Sequence, residues 1–440
     1  MTASKSKKNK YEIDMCNGTV LDKLISFSIP LMLSSILQLL FNAVDIVVVG
    51  RFSGSRALAA VGSTTALINV FTNLFIGVSL GANVLAARFY ATKQEKQMSE
   101  TVHTAVTFAL ISGIVMVFVG LFFSKAALLL MDTPSDVIGQ SALYMRIYFA
   151  GMPFFMLYNY GAAILRAVGD TKRPLFFLII AGIVNAALNL FLVIVLHLGV
   201  AGVAIATVIA QMISCLLVLR CLYRSDGSYQ LRFSAMTIKW IYLKQIFQVG
   251  IPAGIQSTVI NFSNVLLQSS VNSFGSIAMA GNSITQACMS FTSQNYGAGK
   301  WKRMDKVLRN CILLSVVVSL ILGGGSYLFG PELLKIYTSD PKVIQCGMEI
   351  LLYTTVTYFM CGLMDLFPGA LRGMGYSAIP MLLSIIGTVG TRIVWIFMIF
   401  PRHRSLDVLF ISYPASWLIT IILQVICYFF VRKRIHNPLP

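Results

Sequence analysis

Asp45 is the acidic side chain with the clearest chemical potential in this sequence, because it lies inside the apolar run 44–49. Gln38, Asn42 and Asp45 are spaced i, i+4 and i+7, so they share one face of a helix. A carboxyl group inside a membrane helix is costly and normally faces a polar interior. One that takes up a cation on one side of a membrane and releases it on the other could couple cation movement to transport. The alternative is a fixed carboxylate that only joins helices by hydrogen bonds.

Further polar side chains could complete a site around Asp45. Asn185 and Asn189 form an i, i+4 pair on one predicted helix, and Thr207 and Gln211 form a second pair on the next. Hydrogen bonding between helices is the alternative role for any one of them. We predict a cation-coupling set that takes H+ or Na+, with no other cofactor and no further metal: Asp45, Gln38, Asn42, Asn185, Asn189 and Thr207.

A second set of side chains predicts a substrate cavity. Asn261, Asn264 and Gln268 share a face of one predicted span, and Asp365 corresponds, by the repeat described below, to Asn159. Two alternatives remain open: Asp365 lies close enough to a membrane surface for solvation, and methionines can face lipid. The predicted lining residues are Asn159, Met156, Gln256, Asn264, Gln268 and Asp365.

The composition indicates that the elements positioning these side chains are membrane helices. The mean hydropathy is +0.79 and only 11% of residues are charged, which excludes an ordinary soluble domain. Backbone polar groups in lipid need internal partners, and most apolar runs reach the ~20 residues that cross a bilayer core as a helix. We predict an all-α polytopic membrane protein with twelve spans, at roughly 24–49, 63–87, 102–123, 138–164, 174–197, 200–223, 243–271, 277–296, 308–329, 346–370, 380–400 and 406–431.

The net charge of +18 reflects topology and not nucleic-acid binding. Of the 34 Lys and Arg residues, 25 fall on the side that holds both termini, seven on the other side, and Arg146 and Arg392 within predicted spans. This bias places both termini in the cytoplasm of a cell-membrane protein. The first apolar run is too long for a signal peptide and lacks a small-residue cleavage site, so it is predicted to remain as a span.

The sequence contains an internal repeat. Ile29-Pro30 returns as Ile251-Pro252 at an offset of 222, and the motif 165–174 returns as 371–380 at an offset of 206. Two membrane halves in the same order are typical of secondary transporters with parallel repeats. We predict a basic tail (1–23), an N-lobe of six helices (24–224), a linker (225–242), a C-lobe of six helices (243–431) and a second cytoplasmic tail (432–440).

The eighth predicted span is short. Gly62 to Phe89 is 27 steps, whereas the matching Gly281 to Tyr296 is 15, a helical rise of only about 22 Å. The flanking glycine-rich residues, 275–276 and 297–299, are poor helix formers. If this segment failed to cross, all later spans would invert against the charge bias. We therefore predict that it crosses as a thin or partly unwound helix.

Catalytic motifs are missing from the sequence. It contains no Walker motif, nucleophile elbow or H-E-x-x-H, the eight cysteines include no C-x-x-C, and the four histidines show no ligand spacing. The protein is therefore predicted not to be an enzyme. Its predicted partners are a small-molecule substrate and the lipid bilayer, with no obligate protein partner.

Several motifs in order resemble the multidrug and toxin extrusion (MATE) family over about residues 20–432. They are the first-span pattern from Ile29-Pro30 to Gly50, the motif 165–174, Asn185 and Asn189 followed by 199–207, and the segments 293–299 and 371–375. The resemblance implies two six-helix lobes, a central cavity, and drug export driven by H+ or Na+. It also implies that Asp45 is the family's first-helix acid, and that Asn185, Asn189 and Thr207 occupy its N-lobe cation-site positions.

These observations predict a secondary antiporter that exports amphipathic or cationic compounds in exchange for H+ or Na+. Protons are favoured, since the acid that sodium-coupled members carry on the seventh helix has no equivalent here and Asp365 lies about one turn late. One alternative is a flippase for lipid-linked saccharides. A second is a family member impaired in transport by the short eighth span.

Overall fold

The computed structural model describes residues 11–265, 275–335, 341–402 and 406–436, which are helical almost throughout and contain no β-strand. The helices are α1 (Leu21–Phe52), α2 (Ser55–Ala91), α3 (Glu95–Leu130), α4 (Ile138–Ala150), α5 (Met152–Ala167), α6 (Lys172–Leu190), α7 (Gly199–Tyr223), α8 (Trp240–Val265), α9 (Gly275–Gly297), α10 (Trp301–Leu328), α11 (Gly330–Lys335), α12 (Pro341–Gly373), α13 (Ala378–Ser384), α14 (Thr391–Val394) and α15 (Leu406–His436). The all-α fold is as predicted.

Each predicted span overlaps helix in the described part of the chain, although several are interrupted. The fourth is broken at Gly151, between α4 and α5. The fifth continues from α6 into a π-helical turn, Phe191–Val195, and two such turns flank α14 in the eleventh, at Ile385–Gly390 and Trp395–Ile399. Within the described residues, eight helical segments are long and apolar enough to cross a membrane, so the chain is a multi-pass membrane protein.

The helices form two compact units. Unit 1 comprises Met1–Asp14 and Ile29–Gly254, and unit 2 comprises Met15–Ser28 and Ile255–Pro440. These units differ from the predicted lobes because α1 and α8 both change unit partway along their length. Each change lies within two residues of a helix-internal proline, Pro30 or Pro252. Proline removes a backbone hydrogen bond and bends a helix, which lets its two parts pack in different places.

Unit 1 is held together by glycines that allow helix backbones to meet. A Cβ on Gly77 of α2 would lie 2.2 Å from the Gly254 Cα of α8, and one on Gly113 of α3 would lie 2.5 Å from the Pro153 Cα of α5. Such small-residue contacts replace the hydrophobic effect, which cannot drive helices together in lipid. The first half of α8 therefore belongs to unit 1.

The segment 11–14 closes one end of unit 1. The Glu12 carboxylate accepts hydrogen bonds from the Tyr90 hydroxyl at 2.7 Å and the Tyr229 hydroxyl at 2.6 Å. The Ile13 amide donates to the Gly169 carbonyl oxygen at 3.3 Å. Gly169 has a φ of +96°, and a Cβ there would lie 2.5 Å from the Ile13 oxygen. Glycine is therefore required at this position of the repeated motif, both because φ is positive and because a Cβ would clash with the Ile13 oxygen.

Unit 2 binds the next residues of the chain. Arg303 and Asn295 donate to the Met15 carbonyl oxygen, both at 3.1 Å, and Lys300 donates to the Cys16 carbonyl oxygen at 2.9 Å. The Phe27 ring packs edge-on against Phe291, with ring centres 5.5 Å apart. These contacts hold the first turns of α1 in unit 2.

The backbone confirms the repeat and refines its register. At an offset of 206, Gly169 (φ +96°) matches Gly375 (φ +95°), and Lys93 (φ +55°) matches Gly299 (φ +67°). At the same offset Tyr296 corresponds to Tyr90 in the repeat. The correspondence of Tyr296 with Phe89 expected from the sequence was therefore wrong by one residue.

Helix α9 is longer than predicted. It has 23 residues and includes Gly275, Ser276 and Gly297, so its rise is about 34 Å. The expectation that these flanks would not continue the helix was wrong for 275–276 and for Gly297, whereas the helix does end before Ala298. Close packing in unit 2 outweighs the low helix propensity of glycine, since a Cβ on Gly373 of α12 would lie 2.7 Å from the Met289 carbonyl oxygen of α9.

Candidate functional site

Helices α1, α6 and α7 of unit 1 meet at Asp45. The close approach of α1 to α6 depends on Gly182, because a Cβ there would lie 1.6 Å from the Phe41 Cζ. Phe41 lies one turn before Asp45, and Asn185 and Asn189 follow Gly182 by three and seven residues on the same face of α6. The contact of the Phe41 ring with Gly182 therefore sets how closely α1 approaches α6, and so where the Asp45 carboxylate meets the Asn185 and Asn189 amides.

A buried hydrogen-bond network surrounds the Asp45 carboxylate, which is 7% exposed. The Asn189 Nδ2 donates to Asp45 Oδ1 and, at 3.2 Å, to Asn185 Oδ1. The Thr207 hydroxyl lies 3.3 Å from Asp45 Oδ2, and the Asn185 Nδ2 donates to Thr207 Oγ1 at 3.5 Å. The structure thus brings together four of the six predicted cation-coupling residues.

Two amide oxygens near this network are buried and accept no hydrogen bond in the described part of the chain. They are Asn189 Oδ1 and Gln211 Oε1. A buried acceptor without a donor is unfavourable unless a proton-bearing group or a cation fills the space beside it. Carboxylate, amide and hydroxyl oxygens together are the ligands that hard cations prefer. The cluster therefore has the chemistry to hold either a proton on Asp45 or a small cation among its oxygens.

The two remaining predicted coupling residues do not join the network. Gln38 and Asn42 share the α1 face predicted for them, but both are exposed and neither bonds to Asp45. Residues i, i+4 and i+7 on one face still spread over two turns. Asp45, the most buried of the three, bonds to α6 and α7, whereas Gln38 and Asn42 do not.

Sequence reasoning missed two tyrosines beside the network. Tyr144 and Tyr148 of α4 stack with ring centres 6.2 Å apart, and both lie within electrostatic reach of Asp45. Their i, i+4 spacing is the only sequence signal, and it is shared by many apolar helices. Gly182 was also missed, because a small residue within a span does not reveal which ring it receives.

The predicted cavity residues divide between the units. In unit 1, Asn159 Nδ2 donates to the Phe155 carbonyl oxygen of its own helix at 2.8 Å. Met156 is fully buried and its sulfur lies 3.2 Å from the Ser112 hydroxyl. The structure therefore places Met156 in the core of unit 1, since α3 packs directly on this face of α5, and not on a cavity wall.

In unit 2, Gln256 is buried and accepts a hydrogen bond from Arg372 at 2.7 Å. Asp365 is half-buried on α12, seven residues before Arg372 and so on the same face. The side chain of Asn264 and the whole of Gln268 lie outside the described residues. Of the lining predicted in unit 2, the structure thus describes the side chains of Gln256 and Asp365, and it pairs Gln256 with Arg372, which was not predicted.

Comparison with known proteins gives a consistent result. The family model MatE matches residues 30–191 and 267–398. A relative named probable multidrug resistance protein YoeA, from Bacillus subtilis, is 28% identical over 434 residues, covering 93% of each chain. A second B. subtilis relative, probable multidrug resistance protein YpnP, is 27% identical over 391 residues, covering 85% of this chain and 87% of its own.

The same fold occurs among solved structures. One described as the outward-facing conformation of a multidrug resistance MATE family transporter superposes with a TM-score of 0.89. It has 19% sequence identity and covers 98% of this chain and 100% of its own. At that identity the likeness establishes the fold.

Proposed function

Because this chain belongs to the MatE family of membrane transporters, we propose that it is a secondary active antiporter that exports amphipathic or cationic compounds in exchange for a cation. The single observation that carries the proposal is the buried Asp45 network of unit 1. An ionisable group at that depth is expensive to bury and is a functional site by default. The names of the relatives, multidrug resistance proteins, support the substrate class.

Exchange requires the cation and the substrate to compete, or to bind different states of the carrier. A deprotonated Asp45 leaves a buried negative charge beside Asn189 and Thr207, and protonation removes it. The two forms differ in hydrogen bonding, since a protonated carboxyl becomes a donor and a carboxylate only accepts. Uptake of a cation thus changes which contacts among α1, α6 and α7 are favourable, and binding energy that differs between two states can shift their populations.

We propose that protons, more than Na+, are the coupling ion. Asp45 is the one carboxylate in the network, and the three neighbours that bond it or each other, Asn185, Asn189 and Thr207, are neutral. One carboxylate is enough to carry a proton. A bare Na+, as a hard cation, needs several oxygen ligands, and the amide nitrogens of Asn185 and Asn189 already donate into this space.

The flippase alternative is less well supported. A flippase for lipid-linked saccharides needs cationic groups placed to contact phosphate. Arg146 is exposed on α4, whereas Arg392 is 3% exposed and its guanidinium stacks on the Tyr413 ring at 4.5 Å. The length of α9, about 34 Å, also removes the main reason for proposing a transport-impaired protein. We place the protein in the cell membrane with both termini cytoplasmic, on the charge bias alone.

The experiment that tests the proposal is transport into inverted membrane vesicles that contain this protein. A fluorescent lipophilic cation is the substrate, and either a pH gradient (acidic inside) or a Na+ gradient is imposed separately. We expect substrate accumulation with the pH gradient in Na+-free buffer, abolished by a protonophore. Accumulation that requires Na+ and ignores pH would reverse the choice of ion, and no accumulation under either gradient would contradict antiport.

A further inference from the structure

An exposed cationic surface lies at one end of unit 2. Lys302, Lys306 and Arg309 are spaced i, i+4 and i+7 on α10, so they share one face, and all three are exposed. Lys433 and Arg434 are exposed at the end of α15. None of the five makes an ion pair with a described side chain. We call these five residues the α10–α15 basic surface.

The two helix ends that carry the surface are fixed to each other. Asp305 of α10 accepts hydrogen bonds from Arg432 Nε and Nη2 of α15, both at 2.9 Å, and from the Tyr428 hydroxyl at 3.2 Å. The Arg432 guanidinium therefore neutralises Asp305, and the same contact joins the first turns of α10 to the last turns of α15. The five exposed side chains of the surface carry five positive charges.

Directly below these cations both helices present exposed apolar side chains. On α10 the face of Arg309 continues to Leu313 (54% exposed) and Leu320 (55% exposed). On α15 the exposed residues before the cations are Phe430 (58%) and Ile426 (62%). The Arg434 guanidinium lies 4.5 Å from the centre of the Phe430 ring. In a membrane helix, such a change from apolar to cationic marks the depth at which acyl chains end and headgroups begin.

The repeat provides an internal comparison. At an offset of 206, Lys302 matches Lys96, but Lys306 matches Glu100 and Arg309 matches His103 of α3. Glu100 is half-buried, and His103 is buried, with Nδ1 2.6 Å from the Ser99 carbonyl oxygen. A general preference for cations on the cytoplasmic side acts on both halves alike. It does not explain why unit 2 alone has an unbroken cationic face at this position.

Helix stability does not explain the cations either. Helix α10 has no acidic residue in its first turn, whereas α3 has Glu95 there. Positive side chains near a helix N-terminus interact unfavourably with the helix dipole. An anionic partner outside the chain would remove this penalty and supply the counter-charge.

We propose that the α10–α15 basic surface binds the phosphate headgroup of an anionic phospholipid of the surrounding bilayer. The cations contact the phosphate and the exposed side chains of Leu313 and Phe430 contact the acyl chains. The charge complementarity and the apolar face immediately below it select a lipid over a soluble anion. The site is separate from the Asp45 network and does not depend on the proposed transport cycle.

The test measures lipid binding by the full-length protein in neutral detergent. Phosphatidylglycerol or phosphatidylcholine is titrated, and an apparent Kd is obtained from the rise in Tm, since a ligand that binds the folded state raises stability. Native mass spectrometry counts bound lipid as a second readout that does not depend on stability. The test variant is K302Q/K306Q/R309Q. The matched control is K93Q/K96Q, which removes exposed lysines from the equivalent turn of unit 1.

We expect phosphatidylglycerol to bind the wild type more tightly than phosphatidylcholine does, and more weakly in 0.5 M salt. Near an anionic surface each cation contributes about fivefold in affinity, so the triple variant should weaken binding at least tenfold at low salt. The control should change it less than about threefold. Equal affinity for the two lipids, or equal losses in both variants, would overturn the proposal. An anionic-lipid count in native mass spectra that is unchanged in the triple variant would overturn it as well.

Discussion

The chemistry of a single carboxylate dominates the site. Asp45 is buried, its charge is offset by the Asn189 amide and the Thr207 hydroxyl, and no cationic side chain among the described residues bonds to it. Burying an ionised carboxylate costs far more than burying a neutral one. A site built this way is stable with a neutral acid or a bound cation and is strained with neither. In the proposed mechanism, that balance lets cation binding drive transport.

At the residue scale, Asn189→Asp should convert the site into one that depends on a metal cation. The new carboxylate would face Asp45 Oδ1, and two adjacent buried carboxylates repel each other unless a proton or cation lies between them. We expect the variant to have a lower Tm than the wild type in choline buffer at pH 8, and Na+ to restore it. Asp132→Asn, which alters an exposed acid, is the control for nonspecific charge effects. A Tm insensitive to Na+ would contradict our description of the site.

At the element scale, the packing of α1 on α6 decides where Asp45 lies. Phe41 fits against Gly182 with no room for a methyl group. Composition and residue spacing predicted where most of the helices run. They also selected six side chains for a cation-coupling set, of which the structure brings four together. The sequence did not predict which glycine receives which ring, because that depends on the three-dimensional approach of two helices distant in sequence.

Gly182→Ala should therefore destabilise the protein and impair transport together. The added Cβ would displace the Phe41 ring and move α1 away from Asn189, and overpacking of this kind costs about 1–3 kcal/mol. The double variant Gly182→Ala/Phe41→Leu should recover at least half of the lost Tm, because the smaller side chain makes room. Gly62→Ala, where nothing lies within 4 Å of the added Cβ, is the control and should leave Tm the same or slightly higher. Full stability in Gly182→Ala would show that the contact is unimportant.

At the scale of the whole molecule, the repeat is visible in sequence but the units are not. The offset of 206 correctly paired the glycines at 169 and 375. The sequence did not predict that the first part of α1 belongs to unit 2 or that the first part of α8 belongs to unit 1. This division depends on the bends near Pro30 and Pro252 and on close backbone contacts such as that of Gly77 with Gly254. Glycine contacts leave no periodic pattern in a uniformly apolar sequence.

Topology can be checked on either side of α9. If α9 crosses the membrane, Lys306 is cytoplasmic and Lys125, at the far end of α3, is external; both are exposed. An impermeant maleimide should label Lys306→Cys in inverted vesicles and Lys125→Cys in intact cells, above the background of the native cysteines. Labelling of Lys306→Cys from outside intact cells would mean that the chain crosses the membrane an odd number of times between the cytoplasmic N-terminus and residue 306. That result would contradict a crossing by α9.

The central claim is that Asp45 couples cation movement to export, and Asp45→Asn tests it most directly. The amide is nearly isosteric with the carboxyl group but can neither bind nor release a proton. In inverted vesicles with an imposed pH gradient, with expression matched and Asp132→Asn as control, we expect gradient-driven accumulation of a lipophilic cation to fall at least twentyfold. Equilibrium binding of the same compound to purified protein should change less than about threefold. Accumulation at wild-type rates by Asp45→Asn would contradict the account.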